Sequence, residues 1–177
     1  MKFDIQPVLA NELLILRPLR EEDFDDLFKV ASDPLIWEQH PMKDRSQRNG
    51  FDIFFREAME SKGAFVTIDQ KTGEIIGTTR FHPVNETINA IEIGWTFLAR
   101  KYWGGEFNKS MKLLMIDYAF NYVDDIIIYV NENNIRSQKA VEKIGGKRIK
   151  ALGDLHLSTR PNSTVIFRIN KTQWVPI

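Results

Sequence analysis

The 177-residue sequence has no cysteine. That single absence removes disulfides, thiolate metal sites and a cysteine nucleophile together, and it fits a reducing compartment. Neither sign of charge is in excess: Lys+Arg and Asp+Glu both number 24, and the pI is ≈ 6.8. The basic footprint of a nucleic-acid binder is therefore missing, and no nucleic-acid partner is expected. No stretch reaches the roughly 18 apolar residues that a membrane span needs. The opening MKFDIQPVLANELLIL lacks the continuous apolar segment of a signal peptide. The sequence reads as cytoplasmic, with no membrane partner. His40, His82 and His156 show no metal-ligand spacing, so no metal is expected. There is no internal repeat, low-complexity segment or linker.

What remains is the composition of a folded chain. Apolar residues make up 43% and charged residues 27%, which supports a sizeable core in one domain over residues 1–177. Leu13 to Leu16, closed by Arg17-Pro18, is a short apolar run expected to form a first strand. Acids at Glu21, Glu22 and Asp23 mark a helix start, where the dipole favours them. Phe24, Leu27, Phe28 and Ala31 share that helix's apolar face, and Asp33-Pro34 stops it. Leu35 to Pro41 is irregular and carries Glu38 and His40. A second helix sets Phe51, Phe54, Phe55, Ala58 and Met59 on one side and ends at Lys62-Gly63. Strands follow at Phe65 to Ile68 and Ile75 to Phe81, joined by the Lys71-Thr72-Gly73 turn.

The rest of the chain is organised around Asn89 to Asn108, NAIEIGWTFLARKYWGGEFN. Ile91, Ile93, Trp95 and Phe97 alternate with Glu92, Gly94, Thr96 and Leu98, the period of a strand. The pattern breaks at Trp103-Gly104-Gly105. From Asn108 it becomes helical, with Met111, Leu114, Met115, Tyr118 and Tyr122 on one face. A strand, a glycine turn and a helix present backbone N–H groups at a positive helix end, which suits a phosphate. The bland alternative is a tight turn with no ligand. Beyond it, Ile126 to Val130 reads as a buried strand and Asn131 to Asn134 as a polar turn. Ser137, Ala140, Val141 and Ile144 mark a helix face with Gly145 as its C′ residue. Strands at about Lys147 to Leu152 and Val165 to Ile169 close the chain around a loop from Gly153 to Ser163. The order β-α-α-β-β-β-α-β-α-β-β is a mixed α/β arrangement around one sheet.

Three stretches carry a resemblance to a family. They are LRPLREEDFDDLFKVASDP (Leu16 to Pro34), EIGWTFLARKYWGGEFNKSMKLLM (Glu92 to Met115) and VNENNIRSQKAVEKIGGKR (Val130 to Arg148). Together they resemble a GNAT acyltransferase of the RimJ/RimL group, which acetylates ribosomal-protein N-termini. The resemblance implies a mostly antiparallel sheet of about seven strands with a splayed pair, flanked by about four helices. It implies acetyl-CoA as co-substrate and an amine as acceptor, with transfer by direct attack in a ternary complex. The pantetheine arm would lie between the strand ending near Phe97 and Leu98 and the strand ending near Val130. The pyrophosphate would sit over Trp103, Gly104, Gly105, Glu106, Phe107, Asn108 and Lys109. Gly94 would mark a bulge that splays the strands. The family's loop usually reads Arg/Gln-x-x-Gly-x-Gly/Ala; here those positions hold Trp103, Glu106 and Asn108. A carboxylate facing a pyrophosphate would be repelled, so Glu106 is expected to turn to solvent while its N–H still donates.

Amine acetylation sets the chemistry to look for. An alkyl ammonium, with a pKa near about 10, must lose a proton before it can attack. The developing oxyanion needs a donor, which a strand N–H freed near Leu98 can supply. The leaving thiolate gains from an acid. Glu92 is the candidate base, directly or through water; otherwise it is a surface carboxylate paired with a lysine. Ser137 is the candidate thiol-orienting donor, with Tyr129 as an alternative, and each has an ordinary structural reading beside it. Asn134 is expected to cap the helix at Arg136 or Ser137 and, by the resemblance, to lie beside pantetheine. Lys109 and Arg136 either reach CoA phosphates or sit on a solvated face. Glu38, His40, Asp154 and His156 fall in loops that would shape the acceptor pocket, where carboxylates would suit a cationic amine. Two other classes compete: a non-catalytic acyl-CoA-binding regulatory module of the same fold, and an interaction domain with no CoA site. The assembly is expected to be a monomer or homodimer.

Overall fold

Strand-period segments in this chain all join one sheet. The computed structural model describes residues 3–84, 89–150 and 163–175. Its strands are β1 (Leu9–Ala10), β2 (Leu14–Pro18), β3 (Ala64–Asp69), β4 (Ile75–Pro83), β5 (Ala90–Leu98), β6 (Asp125–Asn131), β7 (Lys147–Ile149) and β8 (Thr164–Asn170). The spatial order is β1-β2-β3-β4-β5-β6-β8-β7. Every neighbouring pair is antiparallel except β5 and β6, which are parallel. The strand beyond the expected seven is β1, a two-residue stub pairing Leu9 with Leu16 and Ala10 with Ile15. Asp154, His156 and Leu152 lie outside the described residues.

Four α-helices cover the sheet: α1 (Phe24–Ala31), α2 (Arg48–Glu60), α3 (Glu106–Ala119) and α4 (Ile135–Lys143). Alternation along the strands divides their side chains between two cores. On one face Leu27, Ala31, Phe51, Phe54, Phe55 and Ala58 pack with Val66 and Phe97. On the other, Met111, Met115, Ile116, Ala119, Val141 and Ile144 pack with Phe65, Phe81, Ile91, Ile93, Ile126 and Ile128. Side chains such as Leu27 and Phe51, fully buried, each contribute about 1.5–3 kcal/mol by leaving water. Asp23 stands at the helix start as expected, accepting the Arg20 N–H at 2.8 Å, and is also buried and holds Arg17 through two bonds of 2.8 and 2.6 Å. On the opposite side Arg168 grips Asp125 in a bidentate pair at 2.7 and 2.8 Å, locking β8 to β6. Among the described residues no helix is long and apolar enough to cross a membrane.

Two departures from the sequence reading shape the site. Helix α3 starts at Glu106, not Asn108, and its buried residues are Met111, Lys112, Met115, Ile116 and Ala119. Leu114, Tyr118 and Tyr122 are only partly buried flankers. The bulge in β5 also lies one residue beyond Gly94. The β4–β5 register passes from Arg80↔Gly94 to Thr78↔Phe97, so Trp95 and Thr96 together oppose Thr79. Trp95 there takes φ 51°, an uncommon conformation for a bulky residue. On its other edge β5 pairs with β6 only through Ala90↔Asp125, Ile91↔Ile126 and Glu92↔Ile127. Both strands continue past that point, to Leu98 and Asn131, so they part and leave a gap.

Candidate active site

The parted strands open a cleft in two connected chambers. The inner, of about 320 Å³, is lined by Trp37, His40, Arg45, Gly94, Trp95, Thr96, Lys112, Tyr129 and Ser137 among others. The outer, of about 210 Å³, is lined by Phe97, Leu98, Trp103, Gly104, Arg136 and part of the inner wall. Asn108, Asn134 and Ser137 border both. The cleft thus runs from the turn before α3 inward to the α2 side of the sheet.

Its outer rim is built by local rules. Gly104 sits at φ 73°, in the left-handed region, and a Cβ on Gly104 or Gly105 would meet nothing within 4 Å. The backbone at the start of α3 is therefore bare and open, as a phosphate needs. Trp103 folds back and donates Nε1–H to the Leu98 carbonyl at 2.8 Å, which fixes the turn over the end of β5. The Arg136 guanidinium stacks 4.0 Å above the Trp103 ring and donates to the Ile36 carbonyl at 2.9 Å. Arg136 so ties α4 to the 3₁₀ turn Pro34–Trp37 across the cleft mouth. Asn134, 7% exposed, accepts from the Ser137 N–H at 3.1 Å and caps α4.

The expected residues do not all converge. Phe97, Leu98, Trp103, Gly104, Asn108, Asn134, Arg136 and Ser137 line the cleft. Gly105, Glu106 and Lys109 are exposed at the start of α3 outside it. Phe107 turns inward and packs edge-on against Tyr102 at 4.6 Å. Glu92 is 3% exposed, so it is not a surface carboxylate. It does not line the cleft itself. Its Oε1 lies 3.3 Å from the point a Cβ on Gly94 would occupy. Gly94 lines the inner chamber, so the carboxylate lies beside a wall residue that has no side chain. Glu38 is exposed. Among the described residues no group of His, Cys, Asp or Glu is arranged to hold a metal.

Two charged groups there, Lys112 and Arg45, have no counterpart in the sequence reading, while His40, expected in a loop shaping the acceptor pocket, lines both chambers. Lys112, 6% exposed, lines the inner chamber and donates to Thr96 Oγ1 at 2.6 Å and Thr79 Oγ1 at 3.2 Å. Burial pushes its pKa down to about 7. The signal was present as a lysine between Met111 and Met115 on the buried stripe; centring the face on Leu114 and Tyr118 hid it. Arg45, from the short 3₁₀ turn Lys43–Ser46, lines the inner chamber with its guanidinium 4.8 Å from the Phe54 ring and 5.6 Å from the Trp37 ring. His40 accepts the Met42 N–H on Nδ1 at 3.0 Å, and burial followed by the neighbouring Arg45 lowers its pKa to about 4. No periodicity in Leu35 to Ser46 announces Arg45.

Sheet order, a lone parallel pair and a cleft between its strands place the molecule among the acetyltransferase folds. Solved structures with this fold include a GCN5-related N-acetyltransferase from Brucella melitensis, 18% identical, with TM-score 0.76 over 96% of this chain and 80% of that one. A GNAT-family acetyltransferase from Bacillus anthracis is 20% identical, with TM-score 0.71 over 94% and 100%. RimJ from Mycobacterium smegmatis, solved in complex with CoA-disulfide, is 17% identical, with TM-score 0.64 over 94% and 87%. At these identities the likeness is one of fold. Residues 14–147 match the family model described as the acetyltransferase (GNAT) domain. The chain belongs to the GNAT acetyltransferase family, and so to the N-acetyltransferases.

Proposed function

We propose that this chain transfers an acetyl group from acetyl-CoA to a primary amine by direct attack in a ternary complex. We read residues 1–177 as one such domain, akin to the RimJ/RimL group. The observation that carries the proposal is the parting of β5 and β6 after Glu92↔Ile127, next to the open backbone that starts α3. An extended pantetheine arm fits a gap bordered by unpaired strand edges, and a pyrophosphate fits the turn Trp103 to Asn108. Bound acetyl-CoA supplies an activated carbonyl and a thiolate leaving group. The amine nitrogen, having lost one proton, bonds to the carbonyl carbon. The carbon–sulfur bond breaks with its electron pair on sulfur, and the second amine proton ends there, giving amide and thiol.

The chain's own part is positioning and proton handling. Glu92, beside Gly94, takes the ammonium proton through a water at the glycine gap. Ser137, held by the cap of α4, donates toward the sulfur side of the cleft. Backbone N–H groups of β5 beyond Glu92 are the oxyanion donors. His40 is no base at neutral pH, because its conjugate acid is already too strong.

Glu92→Gln tests the base while keeping its shape. Expected is a fall in kcat of roughly 10²–10⁴ with acetyl-CoA affinity unchanged, and a shifted pH limb. A variant that keeps more than about a third of kcat with the same pH limb would remove Glu92 from the mechanism. The acetyltransferase assignment would stand, since it rests on the family and the cleft.

A further inference from the structure

The inner chamber ends on the α2 side at a wall whose charge does not match a simple cationic amine. Among the described residues no Asp or Glu lines either chamber, while Arg45 and Lys112 do. Arg45 is fixed by two aromatic rings, and its pKa is lowered chiefly by burial. Among the described residues it forms no ion pair. Glu57 and Asp44 act on it electrostatically without such a pair, and His40 lies beside it with Nε2 at 3.5 Å from Nη1. Because His40 is neutral and its Nδ1 accepts from Met42, its proton sits on Nε2. Two N–H donors therefore face one another at that distance with no acceptor between them.

A further buried cation packs against Trp95. Arg80 on β4 is 4% exposed, with its guanidinium carbon 4.4 Å from the centre of the Trp95 ring that lines the chamber. Among the described residues its Nε and Nη2 have no hydrogen-bond partner. Burial lowers its pKa to about 10; the exposed Glu57 and the buried Glu92 counter that, while Arg45 adds to it. A buried guanidinium with unmet N–H groups is costly to keep in a fold that needs it only for packing. An amine arriving as an ammonium would meet repulsion at this wall unless it brought its own negative charge.

We propose that the acetyl acceptor is a primary amine that also carries a carboxylate, and that Arg45 and the His40 Nε2–H bind that carboxylate, with Arg80, packed against Trp95, adding attraction. The proposal rests on the acetyl-transfer reading of this cleft and narrows its substrate class. Of the loop carboxylates expected to greet a cationic amine, Glu38 lines neither chamber and Asp154 lies outside the described residues. Guanidinium is the natural partner, since its planar fork matches a carboxylate.

The test compares matched amines with purified full-length protein and acetyl-CoA: alanine, alaninamide and ethylamine, and free-amine peptides with or without an aspartate first. In parallel, calorimetry measures N-acetylalanine against N-acetylalaninamide on the CoA-loaded protein, an arm that needs no turnover. Expected is at least a tenfold preference in kcat/KM for carboxylate-bearing acceptors, and tighter binding of N-acetylalanine. Either a free amino acid or an aspartate-first peptide in the lead supports the proposal and tells which carboxylate is read. Arg45→Gln should collapse the preference toward one, and Arg45→Lys should restore part of it. Equal losses for all acceptors in Arg45→Gln, or a preference for ethylamine and alaninamide in the wild type, would overturn it. If acetyl-CoA binds and no amine is acetylated, the transferase reading fails. The carboxylate site still stands or falls on the calorimetric arm, by whether N-acetylalanine binds better than its amide.

Discussion

Lys112 is the residue whose position is hardest to reconcile with stability alone. A charged ammonium buried beside two threonines has, among the described residues, no carboxylate to offset its desolvation. The sign of its effect follows from the two states. Below pH 7 the folded and unfolded chains both hold the proton, and the folded one bears the full penalty. Between pH 7 and about 10.5 the folded chain releases it first and the penalty fades. At about 1.4 kcal/mol per pKa unit the penalty at neutral pH amounts to a few kcal/mol. Lys112→Met, apolar and similar in length, should therefore raise the urea midpoint at pH 7 and flatten the rise in stability toward pH 10. A lowered midpoint at pH 7 would show that the threonine hydrogen bonds outweigh the burial. If activity falls while stability rises, the lysine is kept for the cleft, a trade common at functional sites.

Elements were more legible than their contacts. The strand-to-helix stretch Asn89 to Asn108, the cap at Asn134 and the glycine after α4 follow short-range rules, and the structure shows each. What escaped depended on distant pairing. The stub β1 exists because Leu16 lies opposite Leu9. Arg45 reaches the cleft because Trp37 and Phe54 hold it. Glu92 is buried because β5 lies inside the sheet, flanked by β4 and β6. A one-residue error in the bulge moved the strain from Gly94 to Trp95.

The start of α3 makes its own predictions at this scale. Gly105 is exposed with room for a side chain, so Gly105→Asp should fold normally. It should weaken acetyl-CoA binding at least tenfold, about 1.4 kcal/mol, by placing a carboxylate at the phosphate turn. Glu106→Gly should leave affinity similar or better, because its side chain already faces solvent. Isothermal titration decides both, and loss of binding in Glu106→Gly would mean that its carboxylate makes a required contact. Asn134→Ala should cost about 1 kcal/mol from the lost cap, read by chemical denaturation.

For the whole molecule the first expectation is linkage. A ligand that binds only the folded chain adds about 2.7 kcal/mol at 100 times its Kd, so acetyl-CoA should raise Tm. No shift at millimolar acetyl-CoA would count against the cofactor reading. A further consequence comes from the parallel pair. Three residue pairs join β5 to β6, against seven between β6 and β8. The sheet is in effect two leaves stitched along a short seam: β1 to β5 on one side, and β6, β8 and β7 on the other. Amides bordering the gap should then exchange with solvent when the leaves part, without global unfolding. An extended ligand lying in the gap would add rungs where the strands have none. On addition of acetyl-CoA, protection should grow most along Ile93 to Leu98 and Ile128 to Asn131, and little on β2 and β3. In this molecule the substrate would act as a temporary strand, closing the sheet each time catalysis begins and opening it each time product leaves.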